Sequence, residues 1–286
     1  MIKHEIRPVT MADADELGAI CFEAFREQAE KHNFPRDLPS PEVGIGFAQM
    51  LISRPDIYGV AALVDEKLVG SNFLWETDEV AGVGPITIDP TVQNGSIGKD
   101  LMLDVIRRSD ERGFASVRLV QAAYHNRSLA LYTKLGFNTV EPLAAMNGTP
   151  ITVKIEGFTV RKMTELDIDA ANAVCLGVHG HGRRNEIAGS VQQGTGLVVE
   201  NDGRITGYST VLGFFGHTVG ESNTELKALI GSGAEIAGVG FLLPTRNSEL
   251  MRWCLNNGLK IIQPMTLMSR GLYQEPRGAF MPSVLF

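Results

Sequence analysis

The sequence predicts an α/β protein of two tandem domains with the same fold, each a mixed, mostly antiparallel and twisted sheet flanked by helices. Two observations predict this architecture: strand and helix periodicities alternate along the chain, and similar segments recur in the same order in both halves. The length of 286 residues suffices for two domains of ordinary size. A composition of 44% apolar and 21% charged residues is typical of a soluble globular protein with a full core.

The first half is predicted to contain a strand, two helices, a meander of three strands, a helix, a strand, a helix and a strand. The meander covers residues 57–64, 68–75 and 80–89. A strand over 116–121 and a helix over 127–135 come later in this half. The helix that follows the meander ends at Gly113, a typical C-cap, and places five apolar residues on one face: Ile97, Leu101, Met102, Val105 and Ile106.

Matching segments in both halves indicate two copies of one domain. Residues 6–15 and 160–169 share an arginine, a threonine and two aspartates, and each pair of strand and helix has a threonine (Thr10 or Thr164) as N-cap. Residues 61–70 and 196–207 are both predicted hairpins. Further along, Tyr132 and Gly136 correspond to Cys254 and Gly258. The alternative is chance similarity between short α/β segments.

The boundary between the copies is predicted at residues 143–150, where small residues, glycine and proline interrupt both periodicities. The first domain then covers residues 1–145 and the second covers residues 151–286.

Charge and composition limit the range of possible functions. The net charge of −7 makes nucleic acid an unfavourable partner and is compatible with a cationic substrate such as an amine. The chain has no apolar run long enough to span a membrane and begins with a polar segment, which predicts no membrane association and no secretory signal. Three scattered cysteines favour a reducing cytoplasm over a disulfide framework or a zinc site: Cys21, Cys175 and Cys254.

The most informative stretch covers residues 86–99, a predicted buried strand, a turn of small residues and the start of an amphipathic helix. Gly95, Ser96 and Gly98 allow several main-chain N–H groups to converge, and the helix adds its positive dipole end. The turn is therefore suited to an anion such as a pyrophosphate.

Two other phosphate motifs are excluded. A Walker loop requires glycine where Gln93 stands and Ser or Thr where Asp100 stands. The dinucleotide fingerprint GxGxxG does not follow the first strand.

Three motifs together resemble the GNAT superfamily of acetyl-coenzyme A-dependent N-acetyltransferases. The loop Gln93-Asn-Gly-Ser-Ile-Gly98 is similar to the family's Arg/Gln-x-x-Gly-x-Gly/Ala, with Ser96 in place of the first motif glycine. Ile88-Asp-Pro90 stands where the family commonly has Val-x-Pro, and Leu131-Tyr-Thr-Lys-Leu-Gly-Phe137 matches its late helix. Seven positions before the tyrosine stands His125, with Asn126 one place later. The resemblance covers nearly all of residues 1–143.

The resemblance implies that acetyl-coenzyme A is the co-substrate and that no metal is needed. The main chain of Ile86, Thr87 and Ile88 would pair with the pantetheine arm, although ordinary core strand residues would also explain their types. Asn126 would make a further contact with the cofactor. The pyrophosphate would be held by the loop residues Gln93, Asn94, Gly95, Ser96, Ile97, Gly98 and Lys99. A tight strand–helix turn with a solvated lysine is the alternative.

Acetyl transfer to an amine requires deprotonation of the amine, stabilisation of an oxyanion and protonation of the leaving thiolate. By the resemblance, Tyr132 protonates the thiolate and a main-chain N–H of the strand meets the oxyanion, whereas a half-buried structural tyrosine is the alternative. The base is predicted to be Glu79, chosen from Glu76, Asp78 and Glu79 at the end of the meander. A charged turn or a water chain without a dedicated base would explain the same residues.

Two further loops contain residue types that are common at ligand sites. The proline-rich loop 31–41, with His32, Phe34, Arg36 and Asp37, is placed over the acceptor site or is a mobile connector. Residues 179–184 carry two histidines but no pair of carboxylates or thiols nearby, so a glycine-rich loop is favoured over a metal site.

The second copy is predicted not to be a second catalyst. Ser222 and Glu225 form a capping box, so a helix begins where a phosphate loop would be needed. Cys254 replaces the tyrosine, and Asn247 occupies the position of His125. This half is expected to form part of the wall of the acceptor cleft. The apolar tail 279–286 is expected to pack against the rest of the protein.

The predicted function is transfer of an acetyl group from acetyl-coenzyme A to a primary amine of a small molecule or peptide, by direct attack in a ternary complex. A homodimer is left open. The alternatives are a non-catalytic acyl-coenzyme A binding or sensing protein and a structural partner-binding protein.

Overall fold

The computed structural model describes residues 3–92 and 96–285. Their secondary structure is mixed α/β, and they divide into two compact units that are interleaved along the chain. The first unit holds the residues up to Leu119, then His125–Phe137, then Leu285. The second unit holds Val120–Tyr124 and Asn138–Val284. The domain boundary predicted at residues 143–150 is based on the similarity between the two halves of the sequence, and it stays a prediction.

The elements follow the order predicted for the first half. They are β1 (Glu5–Pro8), α1 (Ala14–Lys31), α2 (Pro41–Ser53), β2 (Ile57–Val64), β3 (Lys67–Trp75), β4 (Ala81–Val83), β5 (Thr87–Ile88), α3 (Ile97–Arg112), β6 (Ser116–Ala122), α4 (Asn126–Lys134) and β7 (Asn138–Asn147). The rest of the chain forms β8 (Phe158–Lys162), α5 (Ile168–His179), α6 (Arg184–Gln192), β9 (Leu197–Asn201), β10 (Arg204–Ser209), β11 (Thr218–Gly220), α7 (Asn223–Ile230), β12 (Phe241–Pro244), α8 (Ser248–Asn256), β13 (Lys260–Gly271) and β14 (Ala279–Met281).

In the first unit the sheet is antiparallel from β1 through β2 to β3, and β4 then pairs in parallel with β6. The predicted apolar face of α3 is buried, with no residue of the set more than 7% exposed, so that prediction is confirmed. Gly113 ends this helix in the left-handed conformation, and its N–H donates to the carbonyls of Asp110 and Ser109. The predicted C-cap is therefore confirmed as well.

Helices α1 and α2 pack closely through two glycines. A Cβ on Gly18 would lie 2.4 Å from Ile45 Cα, and a Cβ on Gly44 would lie 2.6 Å from the Gly18 carbonyl oxygen. Because the two backbones nearly touch, this contact sets the close spacing of α1 and α2.

The second unit contains two antiparallel groups of strands. One sheet has the order β14–β11–β10–β9–β8, and in the other group β7 lies between β13 and β12. The apolar tail thus contributes its residues 279–281 as strand β14 at the edge of β11.

The repeated arginine, threonine and aspartate make the same contacts in both halves. The Asp13 carboxylate accepts hydrogen bonds from Arg7 at 2.8 Å and from the Thr10 main-chain N–H at 2.7 Å. In the second half, the Asp167 carboxylate accepts the equivalent bonds at 2.7–2.8 Å, from Arg161 and Thr164. The guanidinium holds the pKa of Asp13 down to about 2. The segments that suggested a repeat therefore form one and the same structural motif.

Candidate functional site

The third strand of the meander is divided into β4 and β5, which corrects the single strand predicted over 80–89. Proline at position 85 has no N–H for a ladder, and the Gly84 N–H donates to the Phe73 carbonyl at 2.9 Å. Before this point β4 pairs with both β3 and β6. After it, within the described residues, β5 pairs with β3 alone. Among the described residues, the edge of β5 that faces away from β3 therefore has no strand partner.

Glycine at position 70 lets β5 approach β3 closely, because a Cβ there would lie 2.5 Å from the Thr87 carbonyl oxygen. Thr87 is 4% exposed, and its hydroxyl is buried without a hydrogen-bond partner in the described structure. Ile86 and Ile88 on either side are half-buried. The three predicted strand residues therefore form a short, mostly buried segment with one edge free.

The start of α3 meets β5 and α4 at Gly98. A Cβ on this residue would lie 2.9 Å from Ile88 Cδ1 and 3.8 Å from Leu131 Cδ2. The structure thereby brings together the strand, the turn and the late helix, which are the three segments that the resemblance singled out. A side chain larger than hydrogen would require the end of the Ile88 side chain to move.

The described part of the predicted anion loop is the first turn of α3. The first N–H groups of a helix have no acceptor within it, and those of Ile97, Gly98 and Lys99 are at this end. Ser96 makes no side-chain cap, and Lys99 is exposed. The predicted loop residues Gln93, Asn94 and Gly95 lie outside the described residues. Asn126 is exposed at the first turn of α4.

Tyr132 is buried on α4, with 6% of its surface exposed. Phe137 lies edge-on to its ring, with the ring centroids 6.3 Å apart. Burial raises the pKa of the Tyr132 phenol to about 12, and a hydrogen bond with the Ser128 hydroxyl opposes part of that rise. The phenol is consequently protonated at neutral pH and is able to donate a proton.

The half-buried His125 precedes α4, and its Nδ1 lies 2.6 Å from Ser128 Oγ. Burial lowers the pKa of His125 to about 4, and the positive charges of Arg127, His32 and Lys31 act in the same direction. The imidazole is therefore neutral at pH 7. The sequence analysis named His125 but not Ser128. Ser128 stands three residues after His125 and four before Tyr132, and this spacing could have indicated that the three residues share one helical face.

The carboxylates after β3 have different environments. Glu76 is bound by Arg108 in a bidentate ion pair with distances of 2.7 and 3.0 Å, so it has a structural partner. Glu79, the predicted base, is exposed in the turn that leads to β4, and Asp78 beside it is half-buried.

The second unit has a different arrangement at the corresponding place. The edge of β11 is covered by β14, with Val219 opposite Phe280. Helix α7 begins two residues after β11, and the Glu225 carboxylate accepts the Ser222 N–H at 2.9 Å, which confirms the predicted capping box. Cys254, the counterpart of Tyr132, is fully buried.

The glycine-rich loop after α5 is buried in the second unit. The rings of His179 and His181 are stacked with their centroids 5.5 Å apart. In the part of the chain that the structure describes, no cluster of three or more His, Cys, Asp or Glu side chains is arranged to hold a metal ion. None of the helices in that part is both long and apolar enough to cross a membrane.

Comparison with known proteins agrees with this geometry. Residues 20–137 match the model of the Acetyltransferase (GNAT) family. The D-amino-acid N-acetyltransferase HPA3 of Saccharomyces cerevisiae is 26% identical over 128 residues, which is 42% of this chain and 80% of that protein.

Two solved structures share the fold over almost the whole chain. One, from Pyrococcus horikoshii and assigned as an acetyltransferase, has a TM-score of 0.72 at 16% identity and covers 96% of this chain and 94% of that one. The other is a tandem GNAT protein of the clavulanic acid biosynthesis pathway, with a TM-score of 0.56 at 12% identity over 94% of this chain and 98% of that one. At these identities the two structures establish the fold alone.

Proposed function

We propose that this protein transfers an acetyl group from acetyl-coenzyme A to a primary amine of a small molecule or peptide, by direct attack of the amine in a ternary complex. The observation that carries the proposal is the strand edge at β5, which has no strand partner on one side among residues 3–92 and 96–285. It lies beside the start of α3 and is adjacent to the helix of Tyr132. A strand edge offers main-chain hydrogen bonds to an extended amide-containing chain, and a helix start favours an anion.

Acetyl-coenzyme A supplies the activated acetyl group as a thioester, and its pantetheine amides and pyrophosphate fit these two features. Ile86, Thr87 and Ile88 would bind the pantetheine arm through their main chain. The pyrophosphate would be bound at the start of α3 by Gln93, Asn94, Gly95, Ser96, Ile97, Gly98 and Lys99, with Asn126 from α4 as a further contact.

The chemical roles follow from the protonation states. Tyr132 donates its phenolic proton to the leaving sulfur, and a main-chain N–H of the open strand donates to the oxyanion. Glu79 receives the proton of the amine through water. Its exposure is compatible with such an indirect path, since a water bridge needs an accessible carboxylate.

An amine acceptor is also favoured by the relative from Saccharomyces cerevisiae, whose name gives D-amino acids as its substrates. The negative net charge of this chain is compatible with the cationic form of such an amine. All three cysteines are buried and outside disulfide bonds, which fits the predicted cytoplasmic location.

The proposal is tested by replacing Tyr132 with phenylalanine. Phenylalanine keeps the ring in its buried site and removes the proton donor, so Tyr132→Phe is expected to lower kcat by about a hundredfold or more. The affinity for coenzyme A should stay the same. The measurement is release of coenzyme A thiol with a panel of primary amines, together with calorimetric titration of coenzyme A.

An acyl-coenzyme A sensor would behave differently. Wild-type protein would then bind coenzyme A without turnover on any amine, and the Tyr132→Phe variant would match it. That outcome contradicts the proposed function, whereas a loss of turnover at unchanged affinity supports it.

A further inference from the structure

The Thr87 side chain on β5 carries a buried hydroxyl at the candidate site. Thr87 is 4% exposed, and within residues 3–92 and 96–285 its Oγ1 atom is buried without a hydrogen-bond partner. Burying a hydroxyl in this way is costly, whereas valine has nearly the same shape and no polar atom to bury. The threonine is therefore expected to use its hydroxyl in an interaction with a ligand.

Thr87 points to the face of the sheet that α1 covers. Ile88, its neighbour on β5, points toward the start of α3, where its Cδ1 lies 2.9 Å from the position of a Cβ on Gly98. Successive side chains of a strand alternate between the two faces, so Thr87 points the other way. It is opposite Ser71 on β3, which in turn is opposite Ala61 on β2, and Ala61 packs against α1. Because α1 packs on β5 as well, the helix shields the hydroxyl from water.

We propose that the Thr87 hydroxyl is a second donor to the oxyanion that forms during acetyl transfer, beside the main-chain N–H of β5. This inference rests on the proposed function, in which acetyl-coenzyme A lies along the edge of β5. A donor stabilises an oxyanion most effectively when it is fixed in place and shielded from water, because no solvation or other bond has to be given up at the moment of reaction. The burial of Thr87 meets these conditions.

The reaction step is balanced with Thr87 keeping its proton throughout. The amine nitrogen forms a bond to the thioester carbon, and the electron pair of the C=O π bond moves to the oxygen. The Thr87 O–H donates a hydrogen bond to that oxygen. When the C=O bond forms again, the C–S bond breaks and the sulfur takes the proton of Tyr132, while the amine proton leaves through water to Glu79. Thr87 is thus a catalytic residue that stabilises charge, and it is neither acid nor base.

Replacing Thr87 with valine should have two effects of opposite sign. Thr87→Val keeps the shape of the side chain and removes the donor, so kcat with a primary amine is expected to fall about a hundredfold, as for the loss of one oxyanion donor. The variant should unfold at a higher urea concentration than the wild type, because it no longer buries an unpaired hydroxyl. The affinity for coenzyme A should stay the same. Thr87→Ser retains the hydroxyl and should recover most of kcat.

Thr206→Val is the matched control. Thr206 lies on β10, is 2% exposed, and has a hydroxyl that is likewise buried without a partner in the part of the chain that the structure describes. This variant should also unfold at a higher urea concentration, but its kcat should equal that of the wild type. The inference is overturned if Thr87→Val keeps wild-type kcat or is less stable than the wild type. A weaker affinity for coenzyme A at unchanged kcat also overturns it, since the hydroxyl would then bind the cofactor and not the oxyanion.

An infrared measurement distinguishes failure of this inference from failure of the proposed function. Acetyl-coenzyme A labelled with ¹³C at the thioester carbonyl is bound without an amine, and its C=O band is recorded. A hydrogen bond from Thr87 should lower the band frequency in the wild type and in Thr206→Val, and the band should return toward its value in water-free solvent in Thr87→Val. An equal band in all three proteins overturns the inference even if the wild type is active. If the band shifts as expected but the wild type acetylates no amine, the contact holds, and the proposed function fails together with the catalytic role of Thr87.

Discussion

At the scale of single residues, the site depends on how burial sets protonation. A phenol with a pKa of about 12 is a weak acid toward a thiolate, whose thiol has an ordinary pKa near 8.5. The difference amounts to on the order of 5 kcal/mol against proton transfer. The difference becomes smaller if the leaving thiol is held in a similarly buried environment, because burial raises the pKa of a thiol as well. Burial of Tyr132 is therefore compatible with its role when the sulfur is buried with it.

The carboxylate assigned as base can be tested at the same scale. Glu79→Gln preserves the size and shape of the side chain but cannot accept a proton, so kcat/KM for the amine should fall by about tenfold or more. The affinity for coenzyme A should be unaffected. Glu66→Gln, at an exposed position in the turn between β2 and β3, is the matched control. Steady-state kinetics that are equal for Glu79→Gln and the control would instead favour a water chain without a dedicated base.

At the scale of elements, local patterns could be predicted and long-range pairings could not. The apolar face of α3, the Gly113 cap and the capping box of α7 depend on residues a few positions apart, and each was predicted correctly. The split of residues 80–89 could not be predicted from periodicity, because the run keeps its strand character on both sides of the break. The pairing of β14 with β11 joins residues about 60 positions apart, which no local pattern specifies.

The same contrast holds within the candidate site. The turn before α3 and the helix of Tyr132 have recognisable motifs, so the sequence was sufficient to name them. Ser128 has no such motif, and its contact with His125 Nδ1 depends on the direction of its hydroxyl. Side-chain orientation depends on packing, and packing is not visible in a single sequence.

The glycine contact between α1 and α2 gives a prediction about an element. Gly44→Ala introduces a Cβ 2.6 Å from the Gly18 carbonyl oxygen, so the helices must separate. We expect a loss of roughly 2 kcal/mol in the free energy of unfolding. Gly46→Ala is the control, because it lies on the same helix with nothing within 4 Å of its Cβ and should be neutral or slightly stabilising. Urea denaturation measures both, and equal stabilities would show that the helices are not held by this contact.

At the scale of the whole molecule, the question is how many coenzyme A molecules one chain binds. Each half has a strand followed by a helix, and within the described residues β5 has a strand partner on one side whereas β11 has one on both sides. In the first half, residues 89–96 separate β5 from α3. In the second half, residues 221–222 alone separate β11 from α7. There Glu225 occupies the main-chain N–H of Ser222, and β14 covers the edge of β11.

One coenzyme A per chain is therefore expected by calorimetric titration. Gly98→Val should abolish this binding, because the added side chain would meet Ile88 Cδ1 at 2.9 Å where β5 and α3 converge. Circular dichroism checks that the variant is folded, and Gly46→Ala should bind like the wild type. Two equivalents in the wild type, or one remaining equivalent in folded Gly98→Val, would place a cofactor in the second half. Such a result would mean that β14 leaves the edge of β11 in solution, because pantetheine and the strand would compete for the same main-chain groups.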